Sequence, residues 1–94
     1  MQLSSSQIQE FEDRGLLFFP SLLPAAQVAE LQETLPELLR RPGPEVVREK
    51  NQPDAARLVF GPHHYDDAFR RLSLTSRLLD PVQQLLGEDI YLHQ

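Results

Sequence analysis

Residues 61–69, GPHHYDDAF, hold the side chains of this chain that are best suited to chemistry. His64 and Asp66 form a His-x-Asp pair, and His63 stands directly beside it. Two histidines and one carboxylate are the ligands that hold Fe(II) in the facial triads of non-haem oxygenases. The composition of this stretch therefore raises the question of whether it is an iron site.

The local pattern favours a structural role for the same residues. Pro62 precedes the histidines and a helical pattern follows, so Asp66 is well placed to accept hydrogen bonds from the amides that open a helix. Side chains two apart share a face only on a strand. We therefore predict that His64 and Asp66 are not metal ligands. A weaker hypothesis is a small metal site of His63, His64, Asp66 and His93.

Composition limits the classes of protein that are possible. The 94 residues suffice for one domain at most, and 40% of them are hydrophobic. There are no cysteines, which excludes disulfides and thiolate metal sites. The net charge of −5 argues against a nucleic-acid partner, and no apolar run is long enough to span a membrane. The start of the sequence lacks the features of a signal peptide, so we expect a soluble cytoplasmic protein.

The first segment predicts a helix followed by a buried strand. Ser6 and Gln9 have the spacing of a capping box, and Gly15 is a C-terminal stop, which together predict a helix over residues 6–13. The run LLFF at residues 16–19 is short and wholly apolar. It predicts a buried strand whose two phenylalanines belong to the core.

A second helix is predicted over residues 24–39. One face carries an apolar stripe with helical spacing, made of Ala25, Val28, Leu31, Leu35 and Leu38. Pro36 lies inside the pattern and should kink or shorten the helix.

Two β-prone pieces flank the turn-rich NQPDA and predict a hairpin of residues 46–50 with residues 57–60. In that pairing Glu49 and Arg57 face each other as an opposite-charge pair across the strands.

The last segment predicts a helix and the start of a strand. Asp80 and Pro81 form an N-cap and first-turn pair, and Gly87 ends the helix. Residues 90–94, IYLHQ, alternate as a strand does. A terminal apolar strand without a partner leaves an exposed edge. We therefore expect the front part of a longer protein, marginally stable alone and prone to self-association through that edge.

The order of segments resembles a known family. A helix, GLLFFPSLL, an amphipathic helix, a hairpin with EK and RLVF, a histidine loop and RLLDPVQQLLGEDIYLHQ follow one another. This order is similar to the N-terminal portion of the phytanoyl-CoA dioxygenase family, most of all to its ectoine-hydroxylase-like members. The resemblance implies an α+β fold. Residues 1–94 would be one partial domain, the helical and hairpin portion of a double-stranded β-helix (jelly-roll) oxygenase whose core barrel is missing.

The resemblance also implies a function. Family members are Fe(II)- and 2-oxoglutarate-dependent dioxygenases that hydroxylate small molecules, and their metal and 2-oxoglutarate ligands lie beyond the YLHQ segment. It thus implies no catalytic or metal-binding residue in this chain, no bound cofactor, and a fragment that is inactive alone. Gln94 resembles a substrate-contacting residue, and Glu49 and Arg57 could line the substrate pocket. Ectoine, a proline-like amino acid, an acyl-CoA and a secondary metabolite remain open as substrates. The alternative is a small, non-catalytic α+β binding module.

Overall fold

The computed structural model of the chain describes residues 2–93. The elements are α1 (Ser5–Arg14), α2 (Ala25–Leu39), β1 (Val46–Arg48), β2 (Ala56–Val59), a 3₁₀ turn (Pro62–His64), α3 (Asp67–Leu74) and α4 (Ser76–Leu86). The predicted α+β class is confirmed, with four α-helices and a single two-stranded antiparallel sheet in this range. None of its helices is long and apolar enough to cross a lipid bilayer.

Helix α1 forms where it was predicted, but its capping box is two residues earlier. The Ser4 hydroxyl accepts from the Gln7 amide at 3.1 Å, and the Gln7 side chain accepts from the Ser4 amide at 2.9 Å. The prediction that Ser6 and Gln9 form the box is wrong. The earlier start places Leu3, only 4% exposed, directly before the cap. There its amide and carbonyl pair with the side-chain amide of Gln84 at 2.7 and 3.2 Å.

The strand predicted at residues 16–19 is wrong. This segment has no regular secondary structure and lies outside the sheet. Leu17 and Phe19 are half-buried beside α4, whereas Leu16 is 50% and Phe18 is 81% exposed. The side chains alternate as in a strand, but within residues 2–93 no neighbouring strand pairs with them. Phe18 is therefore not a core residue.

Helix α2 runs past its proline. It begins after Pro24 and continues to Leu39, the span that was predicted, so Pro36 does not shorten it. Pro36 has no amide hydrogen, so the carbonyl of Gln32 loses its helical partner. Both residues are exposed, and water can satisfy that carbonyl. Leu38 is the buried residue of this helix, at 4% exposure.

The end of α2 is held by a side chain from the hairpin. The Arg48 guanidinium donates to the carbonyls of Leu39 and Arg41, both at 3.1 Å. Charged donors at a helix C-terminus satisfy its free carbonyls and favour the helix dipole. This contact fixes the hairpin against α2.

The predicted hairpin is confirmed, with shorter strands and an irregular register. Val46 pairs with Val59, Val47 with Leu58 and Arg48 with Ala56. Residue Arg57 therefore occupies the extra position of a bulge. Glu49 lies beyond β1, and the structure records no ion pair between Glu49 and Arg57, so the predicted cross-strand pair is wrong.

Helix α4 starts earlier than predicted. Thr75 ends α3 and precedes Ser76, the first residue of α4, so Asp80 and Pro81 lie inside the helix rather than at its start. Pro81 is buried. The predicted stop is confirmed, because Gly87 adopts the left-handed conformation with φ of 76°. Residues 90–93 form no strand, contrary to prediction.

Candidate functional site

The stretch at residues 61–66 is a tight turn that feeds into α3. A 3₁₀ turn carries both histidines, and the Asp66 carboxylate accepts from the Phe69 amide at 2.9 Å. The predicted N-cap role of Asp66 is thus confirmed. One carboxylate oxygen is already engaged with the backbone, which disfavours its use as a ligand.

Loss of this cap should destabilise the chain. We expect Asp66→Ala to lower the free energy of unfolding by about 1 kcal/mol, because the amides at the start of α3 lose their acceptor. Urea unfolding followed by circular dichroism measures this change. Asp66→Asn is the matched control, since asparagine also caps helices. A loss as large in Asn as in Ala would show that the charge of Asp66, rather than its capping, is what matters.

The two histidine rings contact each other. Their centroids are 4.0 Å apart with planes inclined at 38°. The Nδ1 atom of His63 is buried without a hydrogen-bond partner, whereas His64 is exposed. Burial, and then the charge of His64, lowers the pKa of His63 below its usual value. The neutral form of His63 therefore persists to a lower pH than that of an ordinary histidine.

This lowered pKa gives stability a pH dependence. In the unfolded chain His63 binds its proton near the ordinary histidine pKa of about 6.5, whereas in the folded chain it does so only at lower pH. Acid therefore favours unfolding. The free energy of unfolding should fall as the pH drops from about 7 to values below the ordinary histidine pKa. We expect His63→Gln to flatten this fall in urea-unfolding curves. His93→Gln is the control and should leave it unchanged; equal flattening by both would refute the assignment to His63.

The histidines, Asp66 and His93 are not brought together as a metal site. Among residues 2–93, no group of three or more His, Cys, Asp or Glu side chains could hold a metal ion. Tyr91 and His93 contact each other edge to face, with ring centroids 6.5 Å apart. That His64 and Asp66 are not iron ligands stays a prediction. Gln94, predicted to contact substrate, lies outside the described residues.

The hairpin borders an open polar concavity of about 780 Å³. Its lining residues are Val47, Arg48, Glu49, Lys50, Asn51, Gln52 and Arg57. Backbone hydrogen bonds close its loop, since the Glu49 amide donates to the Ala55 carbonyl and the Ala55 amide donates to the Gln52 carbonyl, both at 2.9 Å. Glu49 and Arg57 therefore share a concavity although they do not pair.

A polar cluster beside the histidine turn was missed by sequence reasoning. The Tyr65 hydroxyl donates to the Phe60 carbonyl at 2.8 Å, and the Arg41 guanidinium lies 4.2 Å above the Tyr65 ring. Arg41 also binds Glu45 at 2.8 Å and lowers the pKa of that carboxyl. Nothing in the sequence placed these residues together, because Arg41 and Glu45 lie in a loop, where the i,i+4 spacing of a helix does not apply. The cluster ties the end of α2 to the turn.

Apolar grooves border α4 on two sides. One lies towards α1 and is lined by Phe11, Leu17, Phe19, Leu22, Arg77, Leu78, Pro81, Val82 and Leu85. The other lies towards α3 and is lined by Leu72, Ser73, Leu78, Leu79, Val82, Leu86, Ile90, Tyr91 and Leu92. The apolar residues of α4 that line these two grooves thus form a ridge that the other described residues do not cover.

Comparison with known proteins places the chain among relatives of dioxygenases and hydroxylases. No protein-family model matches it. It is 32% identical over 95 residues to the ectoine dioxygenase of Halomonas elongata and 30% identical over 96 residues to that of Bordetella bronchiseptica. Each match covers 98% of this chain, but 29% and 31% of the relative. The L-proline trans-4-hydroxylase of Streptomyces griseoviridis is 32% identical over 80 residues, which are 85% of this chain and 30% of that enzyme.

The predicted resemblance to ectoine-hydroxylase-like proteins is confirmed by these matches. The chain is a sequence relative of the ectoine dioxygenases over nearly all of its length, and it spans about a third or less of theirs.

Proposed function

We propose that this chain forms the N-terminal part of an Fe(II)- and 2-oxoglutarate-dependent dioxygenase of the phytanoyl-CoA dioxygenase family, one that hydroxylates a small molecule. The observation that supports this proposal is the match of 98% of the chain to several ectoine dioxygenases. In this proposal its helices and hairpin accompany a jelly-roll core that residues 2–93 do not contain.

The described residues do not fit an iron site. Asp66 is engaged in capping, and no three side chains of suitable type converge between residues 2 and 93. We therefore assign no metal ligand and no catalytic step to this chain, and we propose that it is inactive alone. Its own contribution would be to pack against the catalytic core and to border the substrate.

The names of the relatives suggest the substrate class. They act on ectoine and on L-proline, as their names state. We propose that the substrate is likewise a small polar organic acid.

The test uses the complete reading frame that contains these residues. We expect the protein it encodes to form a hydroxylated product from ectoine or L-proline, with 2-oxoglutarate consumed, as followed by mass spectrometry. The 94-residue chain assayed in parallel should form none. If the frame encodes nothing beyond these residues and the chain folds alone, the non-catalytic binding module is the better description.

A further inference from the structure

Three adjoining cavities form an apolar groove between α3 and α4 that runs to the histidine turn. Their volumes are about 250, 280 and 380 Å³, and all three are lined by Ser73 and Leu92. Residues 90–92, which we call the strap, lie along one side of this groove. The strap thus packs against the two helices and the histidine turn.

The strap is held in place by apolar contacts. Ile90 is half-buried and Leu92 is 51% exposed, and the strap backbone makes no hydrogen bond within residues 2–93. The strap follows Gly87, the left-handed residue that ends α4, and residues 87–89 belong to no helix or strand. Such residues can absorb the change in backbone angles at a hinge. The strap can therefore leave the groove without breaking a helix or the sheet.

His63 lies at one end of the groove and shares two of the cavities with Leu92. Its Nδ1 atom is buried and has no hydrogen-bond partner among the described residues. An imidazolium has two N–H groups that need acceptors, so a proton bound by His63 would leave one of them buried and unpaired. This agrees with the pKa of His63, which burial, and then the charge of His64, lowers. The strap therefore packs against a ring that is best accommodated without charge.

No acidic side chain lines the cavities next to His63. From α3, α4 and the strap, the residues that line them are Phe69, Leu72, Ser73, Leu74, Leu78, Leu79, Ile90, Tyr91 and Leu92. Besides Tyr91, the other titratable group there is His64, whose charge would repel a proton on His63. A protonated His63 would therefore face no counter-charge in the groove.

The carboxylates closest to His63 in the sequence are already engaged. Asp66 caps α3, and Asp67 forms an ion pair with Arg70 at 2.9 Å. Arg70 also donates to the His64 carbonyl at 3.2 Å, which brings positive charge towards the turn. A proton on His63 would thus add charge where a cation is already present.

We propose that the strap lies against the groove while His63 is neutral and leaves it when His63 binds a proton. With the strap removed, water reaches the ring and solvates the imidazolium. The closed form binds fewer protons than the open form in the pH range where histidines titrate, so acid favours the open form. Departure of the strap would expose Leu72 and Leu78 and make the groove available for apolar contacts. This switch does not depend on the dioxygenase function proposed above.

NMR relaxation and ring titration of the 94-residue chain test this proposal. As the pH falls through the range of about 5–8, the order parameters of the Ile90 and Leu92 amides should drop below about 0.6, a value typical of flexible backbone. The drop should follow the titration of the His63 ring, while the amides of α2 keep their order. His63→Gln should abolish the drop. His93→Gln is the matched control, since it removes a histidine next to the strap and should leave the drop unchanged.

A variant of the strap tests the reciprocal effect, because two linked equilibria shift each other equally. Leu92→Ser weakens the packing of the strap, so the His63 ring should titrate closer to the ordinary histidine value of about 6.5. Leu16→Ser is the control, because Leu16 is 50% exposed, against 51% for Leu92, but lines none of the three cavities. It should leave the titration of His63 unchanged.

Four results would overturn the proposal. These are strap amides that are flexible already at neutral pH, strap amides that stay rigid once His63 is protonated, persistence of the drop in His63→Gln, and equal effects of Leu92→Ser and Leu16→Ser. Loss of order in α2 at the same pH as in the strap would also overturn it, because acid would then unfold the whole chain rather than release the strap.

Discussion

Replacing Leu38 by alanine should lower the free energy of unfolding by about 2–4 kcal/mol, the usual cost of truncating a buried leucine. Leu38 is 4% exposed and lies in the last turn of α2, next to the carbonyls that Arg48 holds. Among residues 2–93 the buried apolar residues are Leu3, Leu38, Val46 and Ala68, together with Pro81. A domain of this size has a total stability of roughly 5–15 kcal/mol. The variant should therefore unfold at a much lower urea concentration.

Leu35→Ala is the matched control for this experiment. It removes the same atoms from the same helix, but Leu35 is 39% exposed, so less apolar surface returns to water. We expect a loss of about 1 kcal/mol or less. Equal losses in the two variants would show that Leu38 is not the point at which α2 is anchored.

Local sequence signals located the helix ends that depend on local chemistry. Asp66 caps α3, and Gly15 and Gly87 end α1 and α4 in the left-handed conformation, as predicted. These features need only a few neighbouring residues, because a cap or a left-handed glycine satisfies backbone groups within one turn.

Features that depend on distant residues were not predictable from the sequence. The segments at residues 16–19 and 90–93 have strand-like composition, but a strand also needs a partner, and none of residues 2–93 supplies one. The Asp80 and Pro81 pair is a plausible helix start locally, yet α4 begins at Ser76. The bulge at Arg57 changes the cross-strand register, and a bulge has no reliable sequence signal here.

The candidate site also has features that depend on local chemistry and features that depend on distant residues. The capping of Asp66 was predictable from local chemistry, and it favours a structural role for this carboxylate. The hairpin concavity required the register, and the role of Arg48 required the end of α2 to lie beside it. The sequence therefore indicated Glu49 and Arg57 as candidate site residues, but the prediction that they pair across the strands was wrong.

The chain has more exposed surface than a compact protein of its mass. Its accessible surface is 7233 Å², whereas about 5,500 Å² is typical for this mass. Its radius of gyration is 16.2 Å, against about 12 Å for a compact domain of this length. Large apolar side chains are among the exposed ones, including Phe18, Leu86 and Tyr91 at 81%, 63% and 86% exposure.

We propose that this surface makes the 94-residue chain self-associate. Because residues 90–93 form no strand, the contact would use the apolar ridge of α4 rather than a terminal strand edge. The excess area exceeds the approximately 800 Å² that one partner contributes to a standard interface. We expect sedimentation to give an average mass above 10.8 kDa at micromolar concentrations, and the thermal transition to be broad.

Leu86→Glu should weaken this association at least about tenfold, since it removes an exposed leucine from the ridge and adds a charge that would have to be buried. Gln32→Glu adds the same charge at an exposed polar position of α2 and should leave the average mass unchanged. The two variants must be compared at equal protein concentration and ionic strength, because both proteins carry one extra negative charge. A chain that sediments as a monomer at all concentrations and melts sharply would show that the α4 ridge is tolerated in water without a partner.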